Sequence, residues 1–140
     1  MYQRRLFSFL ISLMFVTLLT GCGKDDESYS PKNVDLLTAA TWTGVSMFRD
    51  GVDVTQLLID KENYDIKKQL WKYEKDGTYT SSYERKALLG TWEFLDNEQN
   101  ILHDKNQKDE LNVRIIKLTD SELNLEYTYR DKLYEERYKR

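Results

Sequence analysis

The sequence predicts an all-β domain of about eight short antiparallel strands, joined mostly by tight turns. Beyond residue 40, apolar and polar residues alternate in short runs, which is the pattern of strands with one buried face. The chain contains ten tyrosines and three tryptophans but a single proline, a composition that suits half-buried sheets. Turn signals such as Asp50-Gly51 and Asp76-Gly77 separate the runs.

The clearest element is a hairpin centred on Asp76-Gly77. Trp71 and Tyr73 share one face of the strand before this turn, and Tyr79 and Tyr83 share one face of the strand after it. The same alternation predicts the full set of strands, at residues 41–48, 69–75, 78–84, 90–95, 101–104, 111–118, 122–130 and 133–139.

Three segments depart from simple alternation. Leu36 and Leu37 suggest a short helical turn before the first strand. Residues 52–63 place Val54 and Leu58 at helical spacing, so that a short helix and an irregular loop both fit. Residues 111–118 are apolar on both faces, which indicates either a strand buried on both sides or a β-bulge.

The connections favour a closed sheet. Successive hairpins form a meander, and an open meander would leave two edges able to pair with other chains. Closing eight strands into an up-and-down barrel removes the edges and encloses space for side chains or one small ligand. A β-sandwich is the alternative, but it needs longer crossovers than most of these turns provide.

The N-terminus has the layout of a secretory signal peptide. Arg4 and Arg5 precede an apolar run over residues 6–19, which is shorter than a membrane-spanning helix. The run ends at Leu19-Thr20-Gly21-Cys22, which resembles the lipobox of bacterial lipoproteins and contains the only cysteine. This resemblance implies cleavage between Gly21 and Cys22 and acylation of the Cys22 thiol, so that the mature chain is attached to a membrane. A plain signal peptide with an incidental or buried free cysteine is the alternative.

These features divide the chain into a signal peptide (1–21), an acylated cysteine with a flexible acidic tether (22–35) and a folded domain (36–140). Gly23 stands where a retention signal for the inner membrane would carry Asp, so we expect the protein at the outer membrane. Lys24-Asp25-Asp26-Glu27 resembles a surface-export signal, but it also fits a solvated tether. The location is therefore left open between the periplasmic and the cell-surface side.

Several short motifs in the folded part resemble the lipocalin-like domain of small bacterial lipoproteins. The resemblance implies an eight-stranded meander barrel, and it brings no catalytic motif. The Gly-x-Trp element of true lipocalins is mirrored only loosely by Trp42-Thr43-Gly44, so that a retinoid-type ligand is not implied. The matching motifs lie within about residues 36–138 and are residues 37–42, Lys75-Asp76-Gly77-Thr78-Tyr79, Gly90-Thr91-Trp92 and residues 115–123.

Few residues offer catalytic chemistry. His103 is the only histidine, and we expect it to be exposed or on an edge strand rather than to act as a base. With Cys22 acylated, a metal site would have to rely on carboxylates, so neither a metal nor a cofactor is expected. The net charge of −3 also disfavours nucleic acid as a partner. An enzyme is therefore not expected.

The aromatic residues are the remaining candidates for function. They could line a cavity for a small hydrophobic or amphipathic ligand, or they could simply fill the core of a small barrel. In the second case the protein would be an interaction module that binds a protein or glycan through the loops at 50–68 and 105–109. The residues predicted to line a ligand site are Trp71, Tyr79, Tyr83, Trp92, Tyr127 and Tyr129.

Overall fold

The computed structural model describes residues 32–140. The predicted signal peptide, Cys22 and most of the tether lie outside the described residues. The helical elements are α1 (Asn33–Thr38), α2 (Thr55–Glu62) and a 3-10 turn (Ile66–Lys68). The strands are β1 (Thr41–Arg49), β2 (Val52–Asp53), β3 (Gln69–Tyr73), β4 (Thr78–Tyr83), β5 (Lys86–Leu95), β6 (Asn100–His103), β7 (Leu111–Leu118), β8 (Glu122–Tyr129) and β9 (Lys132–Lys139).

The strands form a closed, antiparallel, up-and-down barrel. Neighbours in the sheet follow chain order from β3 to β9, and β1 pairs with both β3 and β9, which closes the ring at eight strands. The short β2 pairs only with the end of β1 and stays outside the ring. The predicted barrel is therefore confirmed, and the sandwich alternative is wrong because every connection within the ring joins adjacent strands.

The turns have the backbone geometry that their residues predict, and one strand contains a register shift. Asp50 and Gly51 have φ angles of 51° and 81°, and Gly77 has a φ of 84°, as the Asp-Gly signals predict. In β7 the register shifts between Ile115 and Lys117, so the bulge alternative for this strand is confirmed.

The structure differs from the sequence-based prediction mainly at element boundaries. Helix α1 begins at Asn33, before the predicted start of the domain, and β5 begins at Lys86 rather than at residue 90. Residues 52–63 contain a two-residue strand followed by α2, so that the helical interpretation holds for most of this segment. Neither helix of the described residues 32–140 is long and apolar enough to cross a membrane.

Both ends of the barrel are covered by chain segments, and the core has two parts. Helix α1 contacts β3 and β7, which lie on opposite sides of the ring, and the Trp42 indole N–H donates to the Leu37 carbonyl at 2.8 Å. The other end is covered where α2 and the 3-10 turn pack on β1. The main cluster includes Leu37, Trp42, Tyr73, Tyr79, Trp92, Ile101, Val113, Leu123, Leu125 and Tyr138, and the smaller one contains Met47, Val54, Leu58 and Ile66.

Candidate functional site

The candidate site is an open groove at the α2 end of the barrel, with a volume of about 330 Å³. This volume is near the lower limit for small-molecule pockets, which span roughly 300–1,000 Å³. The groove runs between α2 and the ends of β1, β8 and β9. It is lined by Met47, Arg49, Leu58, Glu62, Tyr64, Tyr127, Tyr129 and Tyr134.

Local contacts hold α2 in place as one wall of this groove. At the start of the helix, the Thr55 hydroxyl accepts a hydrogen bond from the Met47 N–H at 3.0 Å, which ties the first turn to β1. At its end, Asn63 takes a left-handed conformation (φ 52°) and its N–H donates to the Leu58 carbonyl. Asparagine tolerates this conformation well, so the helix stops there and Tyr64 turns toward the barrel.

Arg49 is the cation of the groove. Its Nη2 donates to Oε1 of Glu62 at 3.3 Å, and its guanidinium lies 5.2 Å from the centre of the Tyr134 ring. Its Nε is buried and has no hydrogen-bond partner among residues 32–140. An unpaired buried donor is costly, so an acceptor group placed beside this atom would be stabilised.

Tyrosines form most of the remaining lining. Tyr127 and Tyr134 are stacked with ring centres 5.6 Å apart and planes 12° from parallel. Tyr64 stacks in the same way on Tyr83, at 5.1 Å. Tyr129 is exposed at the rim. Stacked rings present flat apolar faces and polar hydroxyls, which suits a ligand that has both kinds of surface.

A carboxylate lies beneath the tyrosines. Glu136 occupies an inward position of β9, because its cross-strand neighbours Met47 and Leu125 are both buried. It accepts hydrogen bonds from the hydroxyls of Tyr127, at 2.7 Å, and Tyr138. Burial raises the pKa of the Glu136 carboxyl, and the two hydroxyl donors counteract part of that rise because they stabilise the ionised form.

A second aromatic cluster fills the barrel on the side of β3 to β6. His103 is buried within it, with 4% of its surface exposed, and its Nε2 lies 3.0 Å from the Tyr73 hydroxyl. The Trp71 ring stacks on the imidazole at 5.1 Å. The expectation of an exposed His103 is wrong, because pairing with Trp92 across β5 and β6 places it on the inner face. Burial lowers the pKa of His103 to about 4, so that the ring is neutral at pH 7.

Asp104, in the loop after His103, connects this loop to the same cluster by hydrogen bonds. The Tyr79 hydroxyl donates to Oδ2 of Asp104 at 2.5 Å, and the Thr91 N–H donates to Oδ1 at 2.9 Å. Gly90 makes this possible, because a Cβ at that position would lie 2.4 Å from both the Tyr79 ring and the Asp104 carboxylate.

The six predicted site residues do not form one site. Tyr127 and Tyr129 line the groove, and Tyr83 lies behind it, against Tyr64. Trp71, Tyr79 and Trp92 pack instead around Tyr73 and His103 in the core.

Sequence reasoning missed Arg49, Tyr64, Glu136 and the place of Tyr134 in the groove. A signal existed for Glu136, because it stands between Tyr134 and Tyr138 at the two-residue spacing of one strand face. For Arg49 the bulge between Gly44 and Ser46 changes the register in mid-strand, so its position could not be read from alternation.

No protein-family model, curated protein or solved structure matches the chain. Function is therefore inferred from the groove and from the N-terminal sequence.

Proposed function

We propose that this chain is a lipid-anchored extracytoplasmic protein of the outer membrane whose barrel binds a small amphipathic ligand. The anchor is supported by the sequence alone: a basic start, an apolar run and Cys22 directly after Gly21. Acyl chains on Cys22 would attach the protein to the membrane without a spanning helix.

The observation that carries the ligand proposal is the buried Nε of Arg49, which lacks a partner inside a tyrosine-lined groove. A carboxylate, phosphate or carbonyl group on the ligand would satisfy this donor and would lie beside a positive charge. The Tyr127 and Tyr134 rings, with Met47 and Leu58, would contact the apolar part of the ligand.

The ligand proposal is tested with two probes of similar apolar length and opposite charge, dodecanoate and dodecyltrimethylammonium. The fragment 31–140 is suitable, because all core residues of the barrel lie within it. We expect dodecanoate to shift the NMR signals of Tyr127 and Tyr134 and to bind more tightly than the cationic probe. Arg49→Gln should weaken dodecanoate binding by roughly tenfold or more, as expected for loss of a hydrogen bond to a charged group.

One further site variant and one control variant define the site. Tyr129→Ala truncates an exposed rim residue and should weaken binding without affecting folding, whereas Ile116→Ala truncates an exposed residue of β7 outside the groove and should have no effect. Equal binding of the two probes, or dodecanoate binding that is unchanged in Arg49→Gln, would contradict the proposal.

The anchor has a separate test. Cells fed with labelled palmitate should incorporate label into the full-length chain and not into the Cys22→Ala variant. Label that persists in the variant would show that Cys22 is not the acylated residue.

A further inference from the structure

One stretch of β5 has a strand on only one side. Residues 86–91 pair with β4, from Lys86↔Tyr83 to Thr91↔Thr78. Pairing with β6 begins only at Trp92, opposite His103, and the chain leaves the ring after His103. Within the described residues, no strand pairs with the edge of residues 86–90 that faces away from β4, so the barrel wall has a short open edge there.

The hydrogen bonds that flank this stretch show which backbone groups are open. The Trp92 N–H donates to the Gly77 carbonyl on the β4 side, whereas the Thr91 carbonyl accepts from the Asp104 N–H on the β6 side. Backbone groups of successive residues in a strand point in opposite directions within the sheet. The N–H and C=O of Ala87 and Leu89 therefore point away from β4, toward the open side.

The same edge presents apolar side chains on both faces of the sheet. Leu88 and Leu89 are 69% and 83% exposed, and they are the two most exposed large apolar residues of the described chain. Adjacent strand residues project to opposite faces. A segment that pairs with this edge would therefore have a leucine to contact on each side.

Positive charge surrounds the tip of the hairpin. A hollow beside the β4–β5 turn is lined by Lys68, Tyr83, Glu84, Arg85 and Lys86. Its single carboxylate, Glu84, forms an ion pair with Lys68 at 2.8 Å. Cations thus exceed anions locally, although the whole chain carries a net charge of −3.

From the open backbone groups, the paired leucines and the local charge, we propose that the 86–90 edge binds an extended acidic peptide segment of a partner protein by strand addition. The added strand would pair with Ala87 and Leu89, its apolar side chains would contact Leu88 and Leu89, and its carboxylates would lie near Arg85 and Lys86. This proposal concerns a different part of the barrel from the ligand groove and does not depend on it.

Two other occupants account for less of this surface. A second copy of the chain would bring a second set of cations to the same edge, and like charges oppose pairing. An anionic lipid surface would match the charge and the leucines, but the N–H and C=O groups of Ala87 and Leu89 would remain unpaired at an apolar boundary.

The test uses the fragment 31–140 and a capped seven-residue peptide with three consecutive valines between two pairs of glutamates, so that apolar side chains face both Leu88 and Leu89. We expect millimolar peptide to slow amide hydrogen exchange at Ala87 and Leu89 selectively, because their N–H groups become hydrogen-bonded. A peptide N-methylated at every residue keeps its charge and apolar groups but is blocked from pairing along either of its edges, so it should give no protection. The double variant Arg85→Glu/Lys86→Glu should bind the peptide roughly tenfold more weakly.

The matched control is Arg130→Glu/Lys139→Glu, which reverses two exposed cations in the β8–β9 hairpin, across the ring from β5, and should leave binding unchanged. Absence of protection at millimolar peptide, or equal protection by the N-methylated peptide, would overturn the proposal. So would protection of Ala87 and Leu89 without peptide that rises with protein concentration, since this would identify a second copy as the occupant. Binding to phosphatidylglycerol vesicles that is lost in Arg85→Glu/Lys86→Glu, with no peptide protection, would identify a lipid surface instead.

Discussion

The Tyr127 hydroxyl donates a hydrogen bond to Oε1 of Glu136 at 2.7 Å, and this pair joins the floor of the groove to the interior of the barrel. The Glu136 carboxylate is tolerated inside an apolar barrel because it accepts hydrogen bonds from the hydroxyls of Tyr127 and Tyr138. Removal of either member should therefore affect stability and the groove together.

The first prediction concerns the pH dependence that Glu136 imposes. Burial raises the pKa of this carboxyl, so the folded protein holds its proton more strongly than the unfolded chain does. The stability that this carboxyl contributes is therefore fully present below its pKa in the unfolded chain. It is lost as the pH rises through its pKa in the folded protein. We expect Glu136→Gln, which keeps an acceptor but does not titrate, to gain stability relative to the parent as pH increases above about 4.5. Urea unfolding of both proteins at several pH values measures this difference, and parallel curves would contradict it.

The second prediction concerns His103, whose contribution has the opposite sign. Burial lowers the pKa of its imidazole to about 4, so the unfolded chain binds a proton at a higher pH than the folded barrel does. Stability should therefore fall as pH decreases from about 6.5 to about 4, by on the order of 3 kcal/mol in unfolding free energy from this group. An NMR titration of the imidazole should show a midpoint near 4, and a midpoint near 6.5 would show that the ring is accessible to water.

The third prediction concerns the close approach at Gly90. Gly90→Ala places a methyl group against the Tyr79 ring and the Asp104 carboxylate, so we expect it to lower the unfolding free energy by about 1–3 kcal/mol. Gly51→Ala is the control, because nothing lies within 4 Å of its Cβ and only the left-handed backbone is disfavoured, at a cost of about 1 kcal/mol. Thermal unfolding of the two variants compares them directly. Equal losses would mean that the contacts around Gly90 adapt.

The fourth prediction separates the two faces of α2. Leu58 is 3% exposed and packs with Met47 and Ile66, whereas Leu57 is 46% exposed. Leu58→Ala should cost about 2–5 kcal/mol of unfolding free energy, and Leu57→Ala less than about 0.5 kcal/mol. Denaturant unfolding measures both. A neutral Leu58→Ala variant would show that α2 contributes little to the core.

The sequence by itself determined most of the barrel. Alternation along the strands places Trp42, Tyr73 and Tyr138 inward, and the Asp-Gly turns at 50–51 and 76–77 have the backbone geometry that their chemistry predicts. These features depend on neighbours in the chain and on the two-residue period of a strand, which are visible in a linear sequence. The lipobox proposed at Cys22 likewise rests on a linear pattern.

Only the tertiary structure decided which inward residues meet. Tyr127 contacts Tyr134 and Glu136 to form the groove, while Trp71 and Trp92 contact Tyr73 and His103 and belong to the core. The same alternation describes both groups, because it specifies the face of the sheet on which a residue lies and not its position along the barrel axis. The position of a residue along the barrel axis depends on the register shifts in β1 and β7. The open edge at Ala87 and Leu89 depends on where β6 ends. Each of these depends on pairing between strands distant in sequence, so neither the groove nor the open edge could be located before the ring was closed.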